Sequence, residues 1–283
     1  MKITDSEKAE VLVQALPYIQ KYSGKTVVVK YGGNAMINEE LKKSVMRDLV
    51  LLSQIGVKVV LVHGGGPEID KVMAEMGLTS KFEKGLRVTD GKTMEVVQMV
   101  LCGKINKDLV NLIGNCGGKA VGLSGVDGNM IEAVPVSEKL GFVGDIVNVN
   151  PQTVKDALDM GYIPVISSVG GDKNNNVYNI NADTVAARIA GALNAQSLIS
   201  MTDIKGILAD PEDESTLIPA VSVSETNQLI KEGVITGGMI PKVACCVEAI
   251  RRGVDKVFII DGRVPHAIII EILSDEGIGT MFY

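Results

Sequence analysis

Thr26-Val27-Val28-Val29-Lys30-Tyr31-Gly32-Gly33-Asn34 is the stretch of this sequence that decides the fold. Its three consecutive valines predict a strand that is buried on both faces, as in a parallel sheet. A lysine and two glycines then fall at the carboxyl end of the strand, where open parallel sheets bind their ligands. Glycines let backbone N–H groups approach an anion, and the lysine adds a positive charge. The stretch therefore predicts a phosphate-binding turn, with a solvated strand end as the alternative.

Strand-like and helix-like patterns alternate along the rest of the chain. This alternation is typical of the α/β class, with an open, mainly parallel central sheet and helices on both faces in three αβα layers. Strands are predicted at residues 26–31, 57–63, 120–124, 163–169, 197–202 and 256–261. Helices are predicted at residues 39–54, 68–76, 93–115, 151–160, 183–193, 241–252 and 265–273.

The alternation breaks between residues 126 and 148. Asp127-Gly128 is a turn signal, and the segments 131–136 and 142–149 are expected to form hairpins over a binding site. The polar loop at residues 172–176 is the best candidate for a boundary between two halves of the chain.

Composition argues against several classes of protein. A net charge of −6 and the lack of a dense basic run disfavour nucleic acid as a partner. The four cysteines show no C-x-x-C spacing, which is typical of a reduced, cytosolic protein. The two histidines are too few for a histidine-rich metal site. No apolar run reaches the roughly 18 residues of a membrane helix.

The N-terminal segment is predicted to be a helix rather than a signal peptide, because acidic residues such as Asp5 interrupt it. Thr4 and Glu7 fit a capping box. An apolar stripe at helical spacing is formed by Ala9, Leu12, Val13 and Leu16. This helix precedes the first core strand, so it packs either on its own domain or on a neighbouring subunit.

A second glycine loop, Gly64-Gly65-Gly66, follows the strand that ends at His63, and Pro67 suits the first position of a helix. The loop offers N–H groups and a helix dipole to an anion. Neighbouring parallel strands would bring the two glycine loops together. The chain has neither G-x-x-x-x-G-K-[ST] nor G-x-G-x-x-G after a strand, so a P-loop enzyme and a dinucleotide fold are disfavoured.

Three charged residues are candidates for binding an anion or organising the groups that do. Asp183 lies at a helix start capped by Asn181, before a face of small residues that permits close packing. Lys242 lies at a helix start, where the dipole disfavours a cation unless an anion binds. Arg87 suits bidentate binding of a carboxylate. The alternatives are that Asp183 only stabilises the helix dipole, that Lys242 is a solvated lysine and that Arg87 forms a surface salt bridge.

Five segments in this order resemble the acetylglutamate kinases of the amino acid kinase superfamily: K-Y-G-G-N, V-H-G-G-G-P, G-L-R-V-T, N-I-N-A-D and G-G-M-I-P-K. The resemblance runs from about Thr26 to the C-terminus. Members of the family transfer the γ-phosphoryl group of ATP to the side-chain carboxylate of N-acetyl-L-glutamate, the second step of arginine biosynthesis through acetylated intermediates. The resemblance implies a cytoplasmic enzyme that uses ATP, with Mg2+ arriving on the nucleotide.

By matching position, the resemblance implies that Lys30 and Lys242 stabilise the transition state and that Asp183 organises both lysines. Gly33 and Gly66 would give backbone N–H groups to the transferring phosphoryl group. N-acetylglutamate would be held by Gly65, Gly66, Arg87 and Asn179, with Arg87 on its α-carboxylate. ATP would be bound by Thr202, Asp203, Lys205 and Lys242.

The resemblance also implies an organisation of the chain. Residues 1–24 would be an extension helix, residues 25–178 would bind acetylglutamate and dimerise, and residues 179–283 would bind ATP, all on one continuous sheet. Members inhibited by arginine resemble this chain at both ends, which implies an arginine site formed by Tyr18, His266 and Glu276. Ser197 departs from the lysine expected in many of them. The extension helix would join homodimers into a hexamer, a trimer of dimers.

The sequence alone leaves two kinds of alternative function open. Carbamate kinase, glutamate 5-kinase, aspartokinase and uridylate kinase share the scaffold, although the pair G-L-R-V-T and N-I-N-A-D favours the acetylglutamate member. A non-catalytic protein that senses nucleotide or arginine is the alternative from a different class. The presence of Lys30, Lys242 and Asp183 argues against it.

Overall fold

The structure is a computed structural model that describes residues 4–36, 38–275 and 277–283. Its strands are β1 Thr26–Tyr31, β2 Lys58–His63, β3 Phe82–Glu83, β4 Leu86–Arg87, β5 Ala120–Ser124, β6 Ile131–Pro135, β7 Gly144–Val149, β8 Ile163–Ser167, β9 Val169–Gly171, β10 Val177–Asn179, β11 Ser197–Thr202, β12 Ala220–Val221, β13 Lys256–Asp261 and β14 Thr280–Phe282. Its helices are α1 Asp5–Gln14, α2 Leu16–Tyr22, α3 Glu39–Gln54, α4 Gly66–Glu75, α5 Gly91–Gln98, α6 Asn106–Asn115, α7 Gln152–Asp159, α8 Ala182–Ala192, α9 Thr226–Lys231, α10 Met239–Arg251 and α11 Ala267–Leu273.

The central sheet has the strand order β12-β14-β13-β11-β1-β2-β8-β5. Neighbouring strands run parallel except β13 and β14, which are antiparallel. β1 therefore lies inside the sheet between β2 and β11, and Lys30 stands opposite Val62 and Ser200. The predicted open, mainly parallel sheet is confirmed.

The valines of β1 are buried because both faces of the sheet are covered. Val27 and Val29 join a core formed with α3, α4, α5, α6 and α11, whereas Val28 joins a second core formed with α7, α8 and α10. Successive residues of a strand point to opposite faces, so a strand between two cores is apolar at every position. This confirms the three-layer αβα fold predicted from the sequence.

Two predicted elements differ from the observed ones. The strand expected at 163–169 is divided at Ser168, because Val169 leaves the central sheet and pairs with Asn179 of β10. The helix expected at 93–115 does run from α5 into α6, but its middle, Met99–Ile105, is π-helical. Periodicity predicted the length of this helix, whereas a single π-helical segment leaves no clear trace in periodicity.

The irregular region forms a second sheet, with the strand order β10-β9-β6-β7. β6 and β7 are antiparallel, which confirms the predicted hairpin. Val143, just before β7, bridges to Asn179 and lines the cleft between the glycine loops. The boundary between two halves at 178/179 stays a prediction.

The N-terminal helix α1 carries the expected capping box: the backbone N–H of Thr4 donates to the Glu7 carboxylate, and the N–H of Glu7 donates to the Thr4 hydroxyl. No described residue of α1 is buried. Leu12 and Val13 are 74% and 64% exposed. The apolar stripe is therefore open rather than packed on its own domain. Within the described ranges, no helix is both long and apolar enough to span a membrane.

Candidate active site

A cleft of about 240 Å³ lies at the carboxyl ends of β1 and β2. Both glycine loops line it, as adjacent parallel strands require: Gly32 and Gly33 from one side and Gly64, Gly65 and Gly66 from the other. The two loops are joined where the N–H of Gly64 donates to the carbonyl of Tyr31, at 3.3 Å. Gly33 has a φ of 70°, a left-handed conformation that glycine adopts without strain.

Three charged side chains from different parts of the chain meet beside this cleft. The Nζ atom of Lys30 lies 2.9 Å from one oxygen of Asp183, and the Nζ atom of Lys242 lies 3.5 Å from the other. β1 supplies the first lysine, the first turn of α8 supplies the carboxylate, and the first turn of α10 supplies the second lysine. The structure thus brings together three residues that the sequence singled out, and the role of Asp183 in organising the lysines stays a prediction.

The local sequence explains how Asp183 reaches its position. Asn181 caps α8, because its side-chain oxygen accepts from the N–H groups of Asp183 and Thr184. The buried small residues Ala186, Ala187 and Ala190 follow on α8, which packs closely against α10. α10 can therefore bring Lys242 to the carboxylate.

The charge balance of this cluster favours an anion. Burial works against ionisation of Asp183, but the two lysines outweigh it and hold the pKa of the carboxyl below its usual value. One carboxylate thus faces two ammonium groups. The cluster carries an excess positive charge next to the backbone N–H groups of the glycine loops.

Ser200 is a further contact of Asp183 that sequence reasoning missed. Its hydroxyl donates to Asp183 at 3.4 Å, from the position of β11 that stands opposite Lys30. Only the strand register brings these residues together, so no local sequence signal identifies it.

Arg87 of β4 also lines the cleft and is 7% exposed. Its Nη1 atom donates to the Asp70 carboxylate at 2.5 Å and to the Ser80 hydroxyl at 2.6 Å, and its Nη2 atom donates to the Gly66 carbonyl at 3.2 Å. The guanidinium also lies 4.7 Å from the ring centroid of Phe82. Its predicted alternative, a surface salt bridge, is wrong because the side chain is buried.

Asp70 and Ser80 hold Arg87 in place and were not predicted as site residues. The hydrogen bond from Arg87 is the main cause that lowers the pKa of Asp70, so the carboxylate stays ionised beside the guanidinium. Asp70 lies on α4, a separate element whose packing the sequence does not specify.

Asn179, the last residue of β10, also lines the cleft. Its backbone N–H donates to the carbonyl of Phe142 at 2.8 Å, and its side-chain amide donates to the Thr89 hydroxyl at 3.4 Å. The side chain is thus held between the second sheet and the segment that follows Arg87.

The other residues predicted for ATP lie at the end of β11 and do not line the glycine cleft, although β11 neighbours β1. Thr202 is buried, and its hydroxyl donates to Asp203. Lys205 pairs with Glu214 at 3.0 Å. Asp261, at the end of β13, stands opposite Thr202 and binds the guanidinium of Arg263. Asp261 and Arg263 were not predicted as part of this region.

The residues predicted for arginine lie near the two ends of the chain. The Tyr18 hydroxyl donates to the Asp275 carboxylate. The Nδ1 atom of His266 lies 2.6 Å from the buried Asp48, whose pKa is raised to about 6 mainly by burial. Glu276 lies outside the described residues.

Residues 25–261 match the amino acid kinase family, which is the class of protein that this fold and cleft define. Curated relatives named acetylglutamate kinase include one from Brachyspira hyodysenteriae, 54% identical over 99% of this chain and 98% of its own length, and one from Clostridium beijerinckii, 53% identical over 99% and 100%. The chain therefore belongs to the acetylglutamate kinases of the amino acid kinase family.

Solved structures agree on the fold. N-acetylglutamate synthase from Neisseria gonorrhoeae, in complex with coenzyme A and N-acetyl-glutamate, superimposes with a TM-score of 0.84 at 26% identity over 97% of this chain. This chain spans 63% of the synthase chain. Carbamate kinase from Giardia lamblia bound to AMP-PNP has a TM-score of 0.65 at 18% identity, covering 92% of this chain and 99% of its own, and it supports the fold alone.

Proposed function

We propose that this chain transfers the γ-phosphoryl group of ATP to the side-chain carboxylate of N-acetyl-L-glutamate, in the biosynthesis of arginine. Its membership of the acetylglutamate kinases supports the reaction and the substrate. The observation that carries the proposal is the cluster of Lys30, Asp183 and Lys242 beside two glycine loops.

The chemistry requires few functional groups. The attacking carboxylate is already ionised near neutral pH, so no general base is needed. The difficulty is to bring this anion to the polyphosphate and to stabilise the charge that moves during transfer. Lys30 and Lys242 supply positive charge for this purpose, and the N–H groups of Gly33 and Gly66 supply oriented dipoles.

Asp183 acts on the lysines rather than on the substrates. Its carboxylate binds both ammonium groups, so it fixes their separation and direction before the substrates arrive. Preorganised charges of this kind need little reorganisation during the reaction.

Acetylglutamate would lie along the cleft with its two carboxylates at opposite ends. Arg87 would bind the α-carboxylate with the guanidinium N–H groups that its protein partners leave available. Asn179 and the N–H groups of Gly65 and Gly66 would hold the remaining polar atoms. The side-chain carboxylate would then face Lys30.

ATP would bind at the carboxyl end of β11, with Thr202, Asp203 and Lys205 near the nucleoside end and Lys242 on the phosphates. Mg2+ would be carried by the phosphate oxygens, where it neutralises charge.

A coupled assay of ADP release tests the proposed function. The purified protein is incubated with ATP and Mg2+ and, in parallel, with acetylglutamate, glutamate, aspartate, carbamate or UMP. We expect acetylglutamate to give the highest kcat/KM. A preference for another acceptor would assign the protein to another activity of the superfamily. Nucleotide binding without turnover of any acceptor would favour a non-catalytic sensor.

We further propose feedback inhibition by arginine at a site formed by Tyr18, His266 and Glu276. Tyr18 binds the carboxylate of the exposed Asp275, an acidic group suited to a guanidinium, whereas His266 is held by the buried Asp48. The open apolar stripe of α1 supports the assembly of homodimers into a hexamer through this helix. Titration of the active enzyme with L-arginine, with D-arginine as the control, tests the inhibition.

A further inference from the structure

His63 is the last residue of β2, is 0% exposed, and has a hydrogen-bond partner on each ring nitrogen. Its Nδ1 atom lies 2.9 Å from the carbonyl oxygen of Gly64. Its Nε2 atom lies 3.2 Å from the side-chain amide nitrogen of Asn106. Neither the fold nor the proposed phosphoryl transfer, as described above, uses this imidazole.

The two partners determine the state of the ring. A carbonyl oxygen only accepts hydrogen bonds, so Nδ1 carries the proton. The amide nitrogen of Asn106 only donates, so Nε2 is unprotonated. The ring is therefore neutral, and burial lowers the pKa of His63 to about 4.

Asn106 is itself fixed by the central sheet. Its amide nitrogen also contacts the carbonyl oxygens of Val165 in β8, at 2.8 Å, and of Leu123 in β5, at 3.2 Å. It is 1% exposed and follows the π-helical segment directly. The imidazole is thus held on one side by Asn106, which contacts β5 and β8, and on the other side by the glycine loop.

We infer that His63 is a positioning residue that aims the N–H group of Gly65 into the cleft. A trans peptide is planar, and its C=O and N–H groups point in opposite directions. The carbonyl of Gly64 and the N–H of Gly65 belong to one peptide group. Because the Nδ1–H group of His63 holds the carbonyl of Gly64 towards the interior, the N–H of Gly65 points in the opposite direction, into the cleft.

Two further observations support this assignment. The N–H of Gly64 is held by the carbonyl of Tyr31, so the glycine loop is fixed on both sides of Gly64. Within the described part of the chain, no protein acceptor is found for the N–H of Gly65, and this residue lines the cleft. The N–H is therefore available for an oxygen of a substrate, which under the proposed function is acetylglutamate.

Variants of His63 separate this role from simple packing. In His63→Asn, the amide nitrogen takes the place of Nδ1 and can still donate to Gly64. In His63→Leu, the bulk remains but the donor is lost. Ser167→Ala is a matched control, because Ser167 is buried, stands opposite His63 in β8 and bonds to a strand rather than to the loop.

We expect His63→Leu to lower kcat by about 10²-fold, the scale of losing one oriented N–H donor, with an unchanged KM for ATP. We expect His63→Asn to stay within about 10-fold of the wild type and Ser167→Ala to stay near it. Wild-type kcat in a folded His63→Leu protein, or equal damage in His63→Leu and His63→Asn, would overturn the inference.

A second readout needs no turnover and leaves His63 itself unchanged. The chain has two histidines, so ¹⁵N NMR of the wild type, with His266→Asn for assignment, identifies the tautomer of His63. Protonated Nδ1 supports the inference, and protonated Nε2 contradicts it. The inference rests on the proposed function only for the identity of the acceptor. If the ADP-release assay selects a different acceptor, the kinetic comparison is made with that acceptor and the NMR result is unaffected.

Discussion

Asp183 is the residue on which the proposed mechanism depends most. It is partly buried, yet it stays ionised because Lys30 and Lys242 bind its two oxygens. Removing either lysine leaves one ammonium group opposite the carboxylate and cancels the excess positive charge. The lysines should therefore contribute to the stabilisation of transferring charge much more than to folding.

We predict that Lys30→Met and Lys242→Met each lower kcat by about 10²-fold or more, because in the proposed mechanism each removes a charge that stabilises the transferring phosphoryl group. Steady-state kinetics measures the effect. Lys58→Met is the control, since Lys58 pairs with Asp159 on the surface at the other end of β2. Near-normal turnover of both site variants would refute the mechanism.

Arg87 has a different role and should give a different kinetic signature. Arg87→Ala removes the proposed partner of the substrate α-carboxylate, so it should raise the KM for acetylglutamate more than it lowers kcat. Arg87→Lys should restore little of the affinity for acetylglutamate, because an ammonium group cannot bind a carboxylate with the two parallel N–H groups of a guanidinium. Arg47→Ala, on the exposed side of α3, serves as the control. An unchanged KM in Arg87→Ala would count against the assignment.

At the residue scale, the sequence predicted the charged residues that meet at the cleft and missed the groups that hold them. Lys30, Arg87, Asp183 and Lys242 follow glycine or strand-end signals, and the structure brings Lys30, Asp183 and Lys242 together while Arg87 lines the same cleft. Asp70 on α4 and Ser80 in the segment after it touch Arg87 only because the fold brings them to β4. Contacts that depend on packing between elements carry no spacing signal in a single sequence.

The glycine loop before α4 shows how an element can require glycine. A Cβ atom on Gly65 would lie 2.2 Å from the Cδ1 atom of Ile105 and 2.8 Å from the Cδ2 atom of Leu101, both in the π-helical segment. These side chains are themselves buried, so they have little room to move. The π-helical segment thus sets how close the loop lies to the core.

We predict that Gly65→Ala destabilises the protein by about 1–3 kcal/mol, as overpacking does, and lowers kcat because the loop is displaced. Gly114→Ala in α6 is the matched control: nothing lies within 4 Å of its added Cβ, and it should stabilise the helix by up to about 1 kcal/mol. Urea unfolding and steady-state kinetics measure both variants. Equal free energies of unfolding for Gly65→Ala and the wild type would show that the core accommodates the added Cβ atom, which would contradict the prediction.

At the element scale, buried apolar runs predicted the long strands of the central sheet well. β1, β5, β11 and β13 have the predicted bounds. The break at Ser168 was missed, because two buried serines, Ser167 and Ser168, do not by themselves signal the end of a strand. Short strands such as β9, β10 and β12 were also missed, since two or three residues contain too little pattern.

At the scale of the whole molecule, α1 is the part that the fold leaves without a partner. Its apolar residues face outward, although α2 behind it buries Tyr22 in the core. Packing the apolar stripe of α1 against a neighbouring copy of the chain would remove this apolar surface from water. The exposed stripe therefore supports the predicted hexamer. The packing of α1 on its own domain, the other prediction, does not occur.

We predict that deletion of residues 1–23 converts hexamers into dimers, as judged by sedimentation velocity. Leu12→Glu should have the same effect in the full-length chain, because it places a charge in the proposed contact. Glu10→Gln, at an exposed position of the same helix, should leave the assembly unchanged. An identical sedimentation coefficient for the deletion variant and the full chain would disprove the role of the helix.

The most direct test of the central claim is to identify the phosphorylated product. An acyl phosphate reacts with hydroxylamine to give a hydroxamate, whereas phosphate on a hydroxyl or amide group does not. With ATP, Mg2+ and acetylglutamate, we predict that the hydroxamate of the side-chain carboxylate forms in an amount equal to the ADP released, and that Lys30→Met lowers both together. Release of ADP without any hydroxamate would contradict the account.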